Sequence, residues 1–218
     1  MNLFSNLETT PTYEEIFPGS VLMRGFALPE EHALLTAVET IASISPFRHM
    51  VTPGGLRMHV QSTGCGPRQF GDNNAFRYSK ESPDSTATPR SALRPAMPEL
   101  FHSFAIRAAT LAGFPRFRPD SGHINRYQAG IKLGLHQDRH ECDLTQPIVS
   151  VSLGLPAVFL LGGFERGDKA RHILLEHGDV IVWGGPSRMR FHGVQPLKPG
   201  SHPLTGFYRY NLTFRKTQ

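Results

Sequence analysis

Apolar and polar residues alternate with two different periods along this chain, and the change comes near residue 120. Upstream, two segments carry the 3.6-residue period of a half-buried helix. In the first, Pro29 and the acids Glu30 and Glu31 open a stripe of Leu34, Leu35, Val38, Ile41 and Ala42 that stops near Pro46. In the second, Pro98 and Glu99 precede Leu100, Phe101, Phe104, Ala105, Ala108 and Leu111, and Gly113 stands where a helix would end. Residues 50–97 between them are rich in Gly, Pro, Ser and Arg, with a turn signal at 52–55 and a Ser/Pro/Thr-rich stretch at 79–91, and predict a loop-and-hairpin lobe. Downstream, short β-branched and aliphatic runs predict strands at 131–135, 148–153, 157–161, 173–175, 180–183 and 209–215, separated by glycine-containing turns. Evenly punctuated short strands of this kind predict a mainly β chain with flanking helices, its core a double-stranded β-helix, or jelly-roll.

Composition narrows the class. The 218 residues suffice for one domain with a real core, and 39% hydrophobic against 19% charged residues excludes the signature of disorder. Two cysteines, Cys65 and Cys142, cannot build a disulfide framework or a four-thiolate zinc site, which favours a cytoplasmic protein. No apolar run approaches the roughly 20 residues of a membrane span, and no signal-peptide pattern opens the chain, so no membrane partner is expected. The net charge of +5 is unevenly spread, at −5 over residues 1–47 and +6 over 48–118. The excess in the middle segment is nearly all arginine, the side chain best suited to phosphate forks. A solvated basic face would also account for it.

The candidate chemistry begins at His136-Gln137-Asp138, where an imidazole and a carboxylate two residues apart share one face of an extended chain. With His192 as a third ligand from elsewhere in the sheet, two His and one Asp make the facial triad of a non-haem Fe(II) oxygenase. Alone, the His-x-Asp pair is a weak signal and reads more readily as a hydrogen-bonded surface pair. In the last strand, Tyr210, Leu212 and Phe214 alternate with Arg209, Asn211, Thr213 and Arg215. Either the polar face meets water, or its two arginines form an anion clamp suited to a dicarboxylate. Asn125 and Tyr127 form a second polar pair on one face.

Taken together, Asn125-Arg126-Tyr127, His136-Gln137-Asp138, the runs at 147–154 and 175–180, His192-Gly193 and the strand 209–215 resemble the AlkB family of 2-oxoglutarate- and Fe(II)-dependent dioxygenases. The likeness extends to 45–48, 50–55 and 95–98 and so covers nearly the whole chain. It implies that His136, Asp138 and His192 hold the iron. It places Arg209 on the distal carboxylate of 2-oxoglutarate with Tyr127 and Asn211, and Arg215 and Asn125 near its metal-chelating end. It implies an N-terminal nucleotide-recognition lid over residues 1–118, packed on a jelly-roll core of 119–218 as one compact unit, and a monomer. The implied activity is oxidative dealkylation of N-alkylated bases in DNA, of the 1-methyladenine and 3-methylcytosine type, with Fe(II), 2-oxoglutarate and O2. A base flipped out of single- or double-stranded DNA would meet Phe70, Phe76, Lys132, Gln137, His140 and Arg166.

Departures from the family fall on the substrate side. Phe70 and Phe76 stand where bacterial members carry a tryptophan and a tyrosine, His140 stands where an aspartate would recognise adenine, and His123 replaces an apolar residue. They leave open an RNA or tRNA demethylase or hydroxylase with the same site. A non-catalytic nucleic-acid-binding module would retain binding without turnover.

Overall fold

The computed structural model describes residues 12–51, 55, 57–67, 77–78, 95–139 and 141–218. The turn residues 52–54 and the stretch 79–91 lie outside them. The strands are β1 (Tyr13–Phe17), β2 (Ser20–Met23), β3 (Arg48–Val51), β4 (Arg57–Cys65), β5 (Arg77–Tyr78), β6 (Ser121–Tyr127), β7 (Leu133–His136), β8 (Ile148–Gly154), β9 (Ala157–Leu161), β10 (Arg171–Leu175), β11 (Val180–Trp183), β12 (His192–Val194) and β13 (Arg209–Arg215). Two helices, α1 (Glu31–Ile44) and α2 (Glu99–Leu111), form where the 3.6-residue period predicts them. A short 3-10 turn at Leu28–Glu30 leads into α1, and Pro98 is the N-cap of α2.

All strands pair antiparallel. One sheet has the order β1-β2-β11-β8-β13-β6-β4-β3-β5, and the other the order β10-β9-β12-β7. These are the two sheets of a jelly-roll core. The large sheet takes strands from both sides of residue 118, because β2 pairs with β11 and β4 with β6.

Both faces of the large sheet are covered, and that arrangement makes the site. On one face Val149, Val151, Val180, Val182, Leu212 and Phe214 join Leu34, Val38 and Ile41 of α1 and Phe101, Phe104 and Ala108 of α2 in one apolar cluster. Phe101 and Phe214 meet at 5.1 Å between ring centroids. Truncating one such buried side chain costs about 2–5 kcal/mol, so this layer anchors the sheet. On the other face, Tyr127, Ile148, Ile181 and Trp183 pack with Phe159, Leu161, Ile173 and Val194 of the small sheet. Strand β8 is therefore buried along its whole length, and Ser150 and Ser152 lie on its inner side.

Gly193 permits the close approach of β12 to β7. A Cβ there would lie 2.7 Å from the Leu133 carbonyl oxygen.

Candidate metal and cosubstrate site

Between the two sheets lies a cavity of about 320 Å3, and the polar face of β13 opens into it. Arg209, Asn211, Thr213 and Arg215 all line it, while Leu212 and Phe214 pack toward the helices. Of the two accounts of this strand, burial of both faces is the outcome.

The β7–β12 pairing sets His136 directly opposite His192, with ring centroids 4.4 Å apart. Asp138, just beyond β7, is fully buried and brings Oδ1 to 3.8 Å from His136 Nε2 and Oδ2 to 3.3 Å from His192 Nε2. One ligand atom from each of the three residues lies within 4.8 Å of the others. The second ring nitrogens are occupied. His136 Nδ1 donates to the Gly134 carbonyl at 2.9 Å and His192 Nδ1 to the Arg190 carbonyl at 3.1 Å, which leaves each Nε2 lone pair turned toward Asp138. Trp183 and Phe159 form an apolar wall 4.9 and 6.0 Å from the His192 ring.

The electrostatics fit a cation here. Burial and the neighbouring His192 push His136 down to about 4, so the imidazole stays neutral and able to ligate. Burial would raise the Asp138 carboxyl, but Arg215 foremost, then His192 and His136, hold it well below the usual carboxylate range. Arg215 Nη2 stands 2.7 Å from Asp138 Oδ2, yet neither carboxylate oxygen accepts a well-formed hydrogen bond. Two buried, anionic oxygens beside two Nε2 lone pairs make a donor set suited to a divalent metal.

A second, larger ion network surrounds it. Arg215 Nη1 bonds Glu141 Oε1 at 3.0 Å, Arg188 Nη2 lies 3.1 Å from Glu141 Oε2, and Arg188 Nη1 donates to the Asp138 carbonyl at 2.6 Å. Two carboxylates thus balance two guanidiniums.

Arg209 has no such balance. It is 1% exposed, donates Nη2 to Ser152 Oγ at 3.0 Å, and leaves Nε and Nη1 buried without a hydrogen-bond partner among the described residues. Its guanidinium carbon lies 5.2 Å from the Tyr127 ring centroid, and the Tyr127 hydroxyl is likewise buried and unpartnered. Burial pushes Tyr127 up to about 12 against the pull of Arg209, so the phenol keeps its proton as a donor. An uncompensated buried guanidinium beside a phenolic O–H is a receptor for a carboxylate. Asn211 spends Nδ2 on Ser150 Oγ at 2.7 Å and on the Val151 carbonyl at 3.1 Å, and buttresses this side of the cavity. Asn125 lines the cavity from β6.

Of the expected substrate residues, Gln137 and Arg166 line the cavity. Gln137 Nε2 donates to the Met189 carbonyl at 2.6 Å, while Arg166 donates to the Leu135 carbonyl and lies 5.1 Å over the Phe191 ring. Lys132 is exposed and does not line it. Phe70, Phe76 and His140 fall outside the described residues. Sequence reasoning passed over Glu141, Arg188, Ser62, Met50, Met58 and Trp183. Ser150 and Ser152, two serines at alternate positions of an otherwise apolar strand, carried a signal of a polar pocket; the remote Arg188 and the two methionines carried none.

Residues 19–215 match the model of the 2OG-Fe(II) oxygenase superfamily. The chain is 50% identical over 217 residues to the alpha-ketoglutarate-dependent dioxygenase AlkB of Escherichia coli strain K12, covering 99% of this chain and 97% of the relative. It is 37% identical over 206 residues to the AlkB homolog of Caulobacter vibrioides strain NA1000, covering 93% and 90%. Among solved structures, that of OsALKBH1 superposes with a TM-score of 0.72 at 29% identity, over 93% of this chain and 100% of that one.

Proposed function

The chain belongs to the 2OG-Fe(II) oxygenase superfamily and is a dioxygenase using Fe(II), 2-oxoglutarate and O2, and from that premise we propose that it removes alkyl groups oxidatively from N-alkylated bases of DNA. The observation that carries this reading is the uncompensated Arg209 guanidinium in the same cavity as the His136, Asp138 and His192 triad. In this reading His136 Nε2, His192 Nε2 and an Asp138 oxygen hold Fe(II). Bound there, the iron with 2-oxoglutarate supplies oxidation by O2, one oxygen atom entering succinate with loss of CO2 and the other the alkyl carbon of the substrate.

The protein's own part is to bind, orient and exclude water. Arg209 and the Tyr127 O–H grip the distal carboxylate, with Asn211 bracing the strand behind them. Arg215, already held between Asp138 and Glu141, faces the other end of the cosubstrate beside Asn125. Trp183 and Phe159 keep the iron side apolar. Gln137 and Arg166 line the cavity that would receive a flipped base, and the family resemblance assigns to the substrate as well the exposed Lys132 and, outside the described residues, Phe70, Phe76 and His140. No side-chain nucleophile is required, because a hydroxylated N-methyl group leaves as formaldehyde, a longer N-alkyl group as the corresponding aldehyde, and either restores the base.

Residues 1–118 supply the substrate-gripping lid, and Met50, Met58 and Ser62 already reach the cavity from that half; 119–218 supply the catalytic core. The enzyme acts as a monomer in the cytoplasm, where its two thiols would persist. The test is anaerobic loading with Fe(II) and 2-oxoglutarate, then air and a methylated oligonucleotide, scoring succinate, formaldehyde and the methyl mass. Coupled appearance of all three on DNA, abolished by Asp138→Ala, is expected. Faster turnover on a matched RNA would move the substrate to RNA, and absence of succinate from iron-loaded protein would refute the reading.

A further inference from the structure

His123 does not belong to the metal or arginine sets, yet its imidazole lines the same cavity. It sits in β6 opposite Thr213 of β13 and Gly64 of β4. Its Nε2 lies 3.0 Å from Asn125 Oδ1. The same oxygen accepts the Ser62 hydroxyl at 2.7 Å. A carboxamide oxygen has two lone pairs, and here both are taken from the protein side. Asn125 is 6% exposed and cannot swing into solvent. With Oδ1 committed, the end of the amide left over is Nδ2, which donates to no atom among the described residues, and Asn125 lines the cavity.

We propose that His123 is a positioning residue for 2-oxoglutarate, locking the Asn125 amide so that Nδ2 presents its N–H to an acceptor oxygen of the cosubstrate. This rests on the dioxygenase reading above and adds to it a fixed polarity at one wall of the cosubstrate pocket. A freely flipping amide would offer its oxygen to an anion half of the time, and an oxygen facing a carboxylate repels it. The lock therefore favours an anionic, acceptor-rich ligand over a neutral one, without His123 touching that ligand.

The experiment is an anaerobic calorimetric titration of the Fe(II)-loaded protein with 2-oxoglutarate, beside steady-state kinetics and thermal melting. His123→Leu is expected to weaken 2-oxoglutarate binding about fivefold to tenfold, the range of one lost hydrogen bond. The KM for 2-oxoglutarate should rise by the same factor with kcat nearly unchanged. His123→Gln, which keeps an N–H, should recover most of the loss, and Ser62→Ala should show a smaller loss. The decisive arm is the double variant: in an Asn125→Ala background, His123→Leu should add nothing. Additive losses, or a His123→Leu affinity within twofold of the parent, would overturn the proposal. Should His123→Leu fail to fold, Ser62→Ala and His123→Gln carry the same comparison. Wild-type protein that binds Fe(II) but no 2-oxoglutarate would instead bring down the dioxygenase reading itself.

Discussion

Replacing Arg209 by methionine removes a charge while keeping most of the stem that packs against Tyr127. This guanidinium is 1% exposed, bonded only to Ser152 and faced by no carboxylate among the described residues, so its burial opposes folding. Burial also lowers its proton affinity, in the direction expected of a cation held without an anion. Two effects of opposite sign follow. The cosubstrate-free variant should melt at or above the parent's temperature, because a desolvated charge has been deleted. Binding of 2-oxoglutarate should collapse, since removing one partner of a buried charge pair costs about 2–5 kcal/mol, or roughly 30-fold to several thousand-fold in affinity. The assay is thermal melting of metal-loaded protein with and without 2-oxoglutarate. At a concentration 100 times its Kd the ligand stabilises by about 2.7 kcal/mol, which for a chain of this size is a shift of roughly 5–10 °C. The parent should show that shift and Arg209→Met should not. A variant that still shifts, or one whose ligand-free form is destabilised by several kcal/mol, would refute the reasoning and make Arg209 a structural residue.

Three further outcomes are expected. The pH dependence of stability without metal should carry the mark of His136: its folded pKa of about 4 lies below the unfolded 6.5, so the unfolded chain binds more protons between those values and stability falls as pH drops from 6.5 towards 4. His136→Gln should flatten that limb of a melting-temperature profile, and an unchanged slope would count against the assignment. Gly193→Ala drives a Cβ to 2.7 Å from the Leu133 carbonyl and should part β12 from β7, lowering Fe(II) affinity at least tenfold in an anaerobic metal titration. Glu141→Gln leaves Arg215 and Arg188 short of a buried counter-charge and should destabilise by about 3–5 kcal/mol, read from the denaturant midpoint; a loss below 1 kcal/mol would mean that solvent reaches this network.

Much of this was legible locally. The stripes of α1 and α2 and the runs of β8, β9, β11 and β13 lie where their periods place them, because a side chain's face follows from backbone geometry alone. The pairs β1–β2 and β7–β12 were harder. Tyr13–Phe17 carries two exposed glutamates, and His192–Val194 is three residues long, extended because β9 and β7 pair with it on either side. Such strands are defined by partners, which a local pattern does not contain.

The sequence by itself determined the inventory: two histidines and an aspartate, a cationic strand face, a polar pair at Asn125 and Tyr127, and a basic segment ahead of them. It also determined that β13 has two unlike faces. Only the tertiary structure decided that both faces are buried, one under helices and the other in a cavity, and hence that its arginines face a ligand site and not water. Only it brought Arg188 to Asp138 across 50 positions, Ser62 to Asn125 across 63, and Arg215 to Glu141 across 74. Chemical type and periodicity are properties of neighbouring residues. Convergence is a property of sheet register, which is set by the packing of the whole chain.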